Sequence, residues 1–121
     1  MKGPILVTGG TGFLGSYVIR LLLSKGYAVR ALRRKDSPMD LLAAEAGQVD
    51  WVDADITDIV ALEDAMQGIT HVLHCAAMVS FHPRDVTRMM QVNVEGTANL
   101  INLSLEMGVQ RFIHVSSIAA I

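Results

Sequence analysis

The sequence has little of what marks secreted, membrane-spanning or nucleic-acid-binding proteins. Its 121 residues contain one cysteine, Cys75, so no internal disulfide can form and the cytoplasm is the expected location. No apolar run approaches the ~18 residues that a transmembrane helix needs. The formal charge of −2 lacks the basic excess of a dedicated nucleic-acid binder, so nucleic acid is not an expected partner.

Apolar residues make up 51% of the chain, and short strand-like segments alternate with helix-like segments along its whole length. The predicted strands are residues 5–8, 28–32, 49–52, 71–76 and 111–116. The predicted helices are residues 12–25, 39–46, 58–66 and 84–107. This alternation predicts an α/β fold with a doubly wound, Rossmann-type parallel sheet of five strands in the order 3-2-1-4-5.

A glycine-rich turn between the first strand and the first helix is the most informative motif. Residues 8–15 read Thr-Gly-Gly-Thr-Gly-Phe-Leu-Gly. Gly9 permits a tight turn, Gly12 lets the backbone approach a diphosphate, and Gly15 lets the helix pack close to the strand. The other predicted cofactor-binding residues of the motif are Thr11, Phe13 and Leu14. The motif predicts dinucleotide binding, and the alternative is a glycine-rich turn without a ligand.

The two-residue gaps between these glycines resemble the extended short-chain dehydrogenase/reductase family. Within it, the chain is similar to the group that contains dihydroflavonol reductases, 3β-hydroxysteroid dehydrogenases and nucleotide-sugar epimerases. The resemblance covers essentially the whole chain through five motifs in the family's order. It implies a nicotinamide dinucleotide cofactor and a small-molecule substrate with a carbonyl/alcohol pair.

Basic residues stand at the end of the predicted second strand, where dinucleotide-binding proteins often carry an acidic residue for the adenosine ribose. Arg33 occupies the position at which the family's NAD-preferring members carry Asp, and the next carboxylate is Asp36. A guanidinium binds a phosphate in a bidentate, charge-assisted way. Arg33 therefore predicts NADP, with NAD as the alternative. A solvated basic run over residues 33–35 is the interpretation without a ligand.

The segment after the predicted third strand is similar to the family's Gly-Asp-aliphatic-x-Asp segment, which covers the adenine ring. By that match Asp55 would accept a hydrogen bond from the adenine amino group, and Ile56 would pack on the ring. The family's glycine is replaced by Ala54. Alternatively, Asp55 or Asp58 caps the next helix.

The predicted fourth strand ends in His-Cys-Ala-Ala at residues 74–77 and is similar to the family segment whose backbone passes beneath the cofactor ribose. The predicted cofactor contacts there are Cys75, Ala76 and Ala77. His74 is interpreted as a core histidine, and Cys75 as a small buried residue rather than a nucleophile. The other histidines show no metal-ligand spacing with His74, so no metal site is expected.

Two further assignments rest on the resemblance. Residues 93–97 are similar to the family's Asn-Val-x-Gly-Thr segment, in which the equivalent of Asn93 helps to hold the active site. Gly96 inside a predicted helix suggests close packing, because glycine costs about 1 kcal/mol there relative to alanine. The predicted fifth strand ends in two serines, and Ser117 matches the family's catalytic serine, which hydrogen-bonds the substrate oxygen.

The family's acid/base pair, Tyr-x-x-x-Lys, is absent from these 121 residues. Neither Tyr17 nor Tyr27 is followed by a lysine four residues later. We therefore expect residues 1–121 to be one NAD(P)-binding Rossmann domain, truncated before the catalytic Tyr/Lys and the substrate-binding region. The faces that such a truncation exposes predict homo-oligomerisation.

Three functions remain at this point. The first is the cofactor-binding part of an NADP-dependent oxidoreductase of the dihydroflavonol reductase type, with a nucleotide-sugar epimerase or dehydratase as its nearest alternative. The second is a non-catalytic NADP(H) sensor, which the missing Tyr/Lys pair would suit. The third is a flavin or adenosyl-methionine binder on a similar fold, which the glycine spacing disfavours.

Overall fold

The computed structural model describes residues 4–10, 13–33, 45–75 and 82–115. Its strands are β1 (Ile5–Thr8), β2 (Val29–Arg33), β3 (Asp50–Asp53), β4 (His71–His74) and β5 (Arg111–His114). Its α-helices are α1 (Phe13–Ser24), α2 (Ile59–Ala65), α3 (Val86–Met90) and α4 (Thr97–Glu106). In the described part of the chain, no helix is both long and apolar enough to cross a membrane.

The five strands form one parallel sheet in the order β3-β2-β1-β4-β5, which confirms the predicted fold class and strand order. The direction of winding reverses between β1 and β4, where Thr8 pairs in register with His74. Ligands of such sheets bind outside the carboxyl ends of the strands at this kind of switch point. The topology therefore puts a candidate site directly beyond Thr8.

The middle of the sheet is buried from both sides. Successive side chains of a strand point to opposite faces. Ile5 and Val7 accordingly pack with Ile19 of α1, while Leu6 packs with Leu62 of α2 and Leu100 of α4. The uninterrupted apolar run of β1 is explained by these two cores, because a central parallel strand is covered on both faces.

Most predicted boundaries hold to within one or two residues, and two differences matter. The predicted helix at residues 39–46 lies almost wholly outside the described residues, and a 3₁₀ turn occupies Ala46–Gln48. The predicted continuous helix at residues 84–107 is interrupted, because Gln91–Gly96 forms a π-helical segment between α3 and α4. Apolar spacing did not distinguish this segment from α-helix. The predicted helix ends at Gly26, Gly68 and Gly108 are confirmed by positive φ angles.

Gly96 lets the start of α4 lie against the loop that follows β3. A Cβ atom at this position would overlap the Cδ1 atom of Ile56 and lie 2.5 Å from its Cγ1 atom. Ile56 is 7% exposed and belongs to the core between the sheet and α2 and α4. The expectation that Gly96 serves close packing is therefore confirmed.

Replacing Gly96 with alanine should lower the free energy of unfolding. The gain of about 1 kcal/mol in helix propensity is opposed by an overpacking cost of typically about 1–3 kcal/mol. Because the overlap involves a buried side chain, we expect a net loss of about 1 kcal/mol in urea denaturation. Gly47→Ala is the matched control, since its Cβ would meet nothing within 4 Å. Equal stability of Gly96→Ala and the parent chain would contradict the packing described here.

Candidate functional site

The sequence-predicted residues that the structure describes gather at the carboxyl edge of the sheet. Gly9 follows β1, Arg33 ends β2, Asp55 and Ile56 follow β3, and Cys75 follows β4. Asn93 is exposed within the π-helical segment. The predicted site residues outside the described ranges are Thr11, Gly12, Ala76, Ala77 and Ser117.

The turn after β1 brings the start of α1 into direct contact with its backbone. Gly9 has a φ of 71°, in the left-handed region that favours glycine. A Cβ atom at Gly15 would overlap the carbonyl oxygen of Gly9 and lie 2.6 Å from its carbonyl carbon. Because backbone atoms cannot rotate away as a side chain does, only glycine is accommodated at position 15. Phe13 begins α1, and Leu14 is 49% exposed at the same end.

This arrangement gives the turn the chemical character of an anion site. The first N–H groups of an α-helix have no partner within the helix, and the helix dipole makes that end partly positive. The first turn of α1 contains no acidic residue. A diphosphate placed between Gly9 and α1 would therefore meet backbone donors at close range.

Asp55 is held in place by two neighbours. Its Oδ1 atom accepts hydrogen bonds from the backbone N–H and the hydroxyl of Thr57, at 3.0 and 2.8 Å. Its Oδ2 atom accepts one from Nη2 of Arg88, at 2.8 Å. Partial burial acts to raise the pKa of Asp55, but these hydrogen bonds and the Arg88 charge lower it to about 2. The carboxylate is thus ionised at neutral pH, and its predicted contact with adenine stays a prediction.

Asp58, rather than Asp55, caps the helix that follows β3. Asp58 Oδ1 accepts a hydrogen bond from the backbone N–H of Ala61 at 3.2 Å and caps α2. Asp55 instead closes a turn two residues long, to Thr57. The two carboxylates therefore have separate tasks, and Asp55 is not needed to start the helix.

Ile56 is fixed from α4. Its carbonyl oxygen accepts a hydrogen bond from Asn99 Nδ2 at 3.0 Å, and its side chain packs against Gly96. The predicted packing of Ile56 on an adenine ring is untested, and little of the residue remains exposed for such a contact. The loop after β3 is therefore attached to α3 through Asp55 and to α4 through Ile56.

Arg33 ends β2 with its guanidinium directed toward the neighbouring strand. Its Nε atom lies 2.9 Å from Oδ1 of Asp53, the residue with which it pairs in register. The Arg33 side chain is 30% exposed, so solvent still reaches the cation. An ion pair exposed to this degree adds little to stability. Its consequence is orientation, because Asp53 holds the guanidinium at the carboxyl edge.

His74 connects the sheet to a helix. Its ring is fully buried, with Nδ1 at 2.6 Å from the hydroxyl of Thr8 and Nε2 at 2.8 Å from the hydroxyl of Thr97. The Thr8 hydroxyl also accepts the backbone N–H of Cys75, at 3.1 Å. The interpretation of His74 as a core histidine with satisfied ring nitrogens is confirmed.

Burial also determines the protonation states of His74 and Cys75 at neutral pH. Desolvation, with a smaller electrostatic contribution from nearby His114, lowers the pKa of His74 to about 4. The His114 ring stacks on the His74 ring with centroids 5.0 Å apart. Desolvation raises the pKa of the half-buried Cys75 thiol. At neutral pH the imidazole is uncharged and the thiol protonated, as expected for a cysteine that is not a nucleophile.

Sequence reasoning missed three polar residues that hold the site together, namely Arg88, Thr97 and Asn99. Each contacts a residue 23 or more positions away in the sequence, so no local sequence pattern predicts the contact. Thr97 had one signal, since it is the last residue of the segment at residues 93–97 that is similar to the family's Asn-Val-x-Gly-Thr. Its hydrogen bond to His74 adds a second task.

An apolar groove of about 370 Å³ lies at the other end of the sheet. It is bordered by Leu21 and Leu22 of α1 and by Ile5, His71 and Arg111, the first residues of β1, β4 and β5. Because the candidate site lies beyond the last residues of these strands, the groove is separate from it.

Among the described residues, no group of three or more His, Cys, Asp or Glu side chains is arranged to hold a metal ion.

Comparison with known proteins identifies the family that the chain resembles in sequence and in fold. The profile of the NAD-dependent epimerase/dehydratase family matches residues 5–121. A Synechocystis protein named as a candidate dihydroflavonol 4-reductase is 41% identical over 121 residues, which are the whole of this chain and 34% of the relative. The chain thus spans about a third of the length of that relative.

Two solved structures show the likeness in three dimensions. A short-chain dehydrogenase/reductase superfamily protein from Agrobacterium tumefaciens, with bound NAD, superposes with a TM-score of 0.81 and 37% identity. That match covers 94% of this chain and 32% of the other. UDP-glucose 4-epimerase from Thermotoga maritima, with UDP-glucose, superposes with a TM-score of 0.84 and 29% identity over 94% of this chain and 38% of the other.

The buried histidine makes stability depend on pH in a defined window. Unfolded histidine has a pKa of 6.5, whereas folded His74 has a pKa of about 4. As the pH falls below 6.5 the unfolded state binds the proton first, so stability is lost between pH 6.5 and 4. The slope is about 1.4 kcal/mol per pH unit, or about 3 kcal/mol in all. Asp55 affects stability at lower pH than His74 does. Its stabilising contribution is present above pH 3.8 and is lost as the pH falls toward 2.

Urea denaturation at pH values from 7.5 to 4.0 measures this effect. We expect the free energy of unfolding of the parent to fall across the window, and the His74→Asn variant to show a clearly smaller fall. Identical pH slopes for parent and variant would contradict the assignment to His74.

Proposed function

This chain belongs to the NAD-dependent epimerase/dehydratase family, and we propose that it is the cofactor-binding part of an NADP(H)-dependent oxidoreductase. The carrying observation is the contact between Gly15 and the backbone of Gly9, which leaves no room for a Cβ. Close packing alone does not require a ligand, as Gly96 shows. At Gly15, however, the close packing also brings the first turn of α1 to the end of β1, where the helix N–H groups would reach the phosphates of a diphosphate.

The residues at the carboxyl edge suit a nicotinamide dinucleotide. Backbone N–H groups between Gly9 and α1 would bind the diphosphate. Asp55 would accept from the adenine amino group, and its ionised state suits that role. The turn at Cys75 and the alanines after it would lie against the ribose. The Agrobacterium relative solved with bound NAD supports a cofactor of this class.

Arg33 favours NADP(H) over NAD(H). The adenosine 2′-phosphate is the one group that distinguishes the two cofactors, and a guanidinium binds it bidentately. Asp53 already holds the Arg33 side chain through Nε, so less conformational entropy would be lost when a phosphate binds. A relative with bound NAD does not decide this preference for a chain with arginine at the position.

The reaction would exchange a hydride between the cofactor and a carbonyl/alcohol pair, and the nicotinamide supplies that chemistry when bound. Ser117 would hold the substrate oxygen by a hydrogen bond, and Asn93 would help to keep the site in shape. The 41% identity to the Synechocystis protein favours a substrate of the dihydroflavonol type. We also propose a cytoplasmic location, since the 121 residues contain one cysteine. We propose homo-oligomerisation because Leu105, Val60 and Tyr17 expose 78, 72 and 64% of their surfaces.

Nucleotide-sugar epimerisation or dehydration is the second candidate. The structural likeness to the Thermotoga epimerase, at a TM-score of 0.84, favours it. Because residues 1–121 lack the Tyr-x-x-x-Lys pair, substrate trials on the whole product of the gene separate the two activities, with a UDP-sugar and with an apolar ketone, each with both nicotinamide cofactors.

Calorimetric titration of the chain with NADPH, NADH and FAD tests the proposal. We expect binding of NADPH, weaker binding of NADH and none of FAD. Gly15→Ala should abolish nucleotide binding because its Cβ overlaps the turn, whereas Gly47→Ala, with open space around it, should bind as the parent does. Failure of the parent to bind either nicotinamide nucleotide would overturn the proposed function.

Arg33→Ala separates the two cofactors. A charged bidentate contact contributes about 1.5–3 kcal/mol, so NADPH affinity should fall by about 10- to 100-fold. NADH affinity should change by less than about threefold, because the lost side chain has no phosphate to bind in that cofactor. Arg20→Ala is the control, since Arg20 lies on α1 and its removal takes the same charge from an ion pair with Glu45. Equal losses for NADPH and NADH would contradict the assigned role of Arg33.

A further inference from the structure

A buried histidine lies directly behind the turn on which the proposed function rests. His74 ends β4 and is fully buried, and its register partner Thr8 is the last residue before Gly9. Burying an imidazole costs free energy that an apolar side chain of similar size would avoid. Hydrogen bonds at both ring nitrogens offset that cost. We therefore attribute the presence of histidine at position 74 to the two hydrogen bonds of its ring rather than to the volume that the ring fills.

The first bond controls the end of β1. The Thr8 hydroxyl contacts His74 Nδ1 at 2.6 Å and accepts the backbone N–H of Cys75 at 3.1 Å. The same Cys75 N–H also reaches the Thr8 carbonyl oxygen, at 3.2 Å. Both the side chain and the carbonyl of Thr8 are thereby held across the switch point, and the next residue is Gly9. Any rotation of Thr8 would change the direction in which the turn leaves the sheet.

The second bond reaches a helix on one face of the sheet. His74 Nε2 contacts the hydroxyl of Thr97, the first residue of α4. Thr97 directly follows the π-helical segment that carries Asn93. Isolated π-helical turns are rare and occur frequently at functional sites. One ring thus joins the turn after β1 to the segment predicted to hold the active site.

We propose that His74 is a positioning residue for the diphosphate-binding turn, and that its bond to Thr97 is required for full cofactor affinity. The inference rests on the proposed function and adds to it a hydrogen-bonded bridge, Thr8–His74–Thr97, whose first two residues are buried and which acts through backbone geometry. Because the diphosphate is common to both nicotinamide cofactors, loss of the bridge should weaken NADPH and NADH by the same factor.

Three variants of the full chain, titrated with NADPH and NADH at pH 7.5, test the bridge. Thr97→Val removes the hydroxyl at nearly constant volume, and Thr97→Ser restores it. His74→Asn keeps a hydrogen-bonding group near the Nδ1 position but does not reach Thr97. We expect Thr97→Val and His74→Asn each to weaken the binding of both nucleotides about tenfold, as loss of one hydrogen bond implies. The double variant, Thr97→Val with His74→Asn, should bind the nucleotides no more weakly than His74→Asn alone, because both changes break the same contact.

A second threonine–histidine pair provides the matched control. Thr70 Oγ1 lies 2.8 Å from Nδ1 of His71 at the opposite end of β4. Thr70→Val and His71→Asn remove a bond of the same kind from the same strand, and we expect nucleotide affinity to change by less than about twofold. Circular dichroism and thermal unfolding confirm that each variant is folded at the titration temperature. The Val/Ser pair at Thr97 carries the test if His74→Asn does not fold.

Each outcome tests the positioning role of His74, the proposed function, or both. Restoration of affinity by Thr97→Ser, with an unchanged ratio of NADPH to NADH affinity, supports the inference, provided that Thr97→Val is folded at the titration temperature, because the loss is then traced to the hydroxyl rather than to unfolding. Parental affinity in Thr97→Val and His74→Asn overturns it while leaving the proposed function intact. An equal loss in the Thr70 and His71 controls also overturns it. A parent chain that binds neither nucleotide overturns the proposed function and the inference with it.

Discussion

The close approach of Gly15 to the backbone of Gly9 is the constraint on which the candidate site depends. It sets the distance between the last residue of β1 and the first turn of α1, and so decides where the free N–H groups of the helix lie. The left-handed φ of Gly9 turns the chain into that position. Without the contact, α1 would still cover the sheet through Ile19, but its positive end would stand away from the strand ends.

Polar contacts from the opposite face hold the remaining parts of the site. Helices α3 and α4 reach the loop after β3 through Arg88 and Asn99, and α4 reaches the end of β1 through Thr97 and His74. All of these bonds join groups of the chain itself. Because a prearranged site loses less entropy on binding, they favour affinity without contacting a ligand themselves.

Local patterns predicted the parts of the structure that depend on local chemistry. The apolar run of β1, the glycine spacing and the alternation of elements gave the strand order and the place of the turn, because each follows from neighbouring residues. The partner of Asp55 lies 33 residues away and that of Ile56 lies 43 away, so neither pair has a sequence signature. The π-helical segment escaped prediction for another reason, since its apolar residues keep a spacing compatible with α-helix.

A crystal structure of the chain with NADP⁺ tests the central claim most directly. The account predicts the diphosphate between Gly9 and the first turn of α1, within hydrogen-bond distance of backbone N–H groups. It also predicts the 2′-phosphate beside Arg33. A nucleotide bound elsewhere on the chain, or a turn filled by packed side chains in the complex, would contradict it.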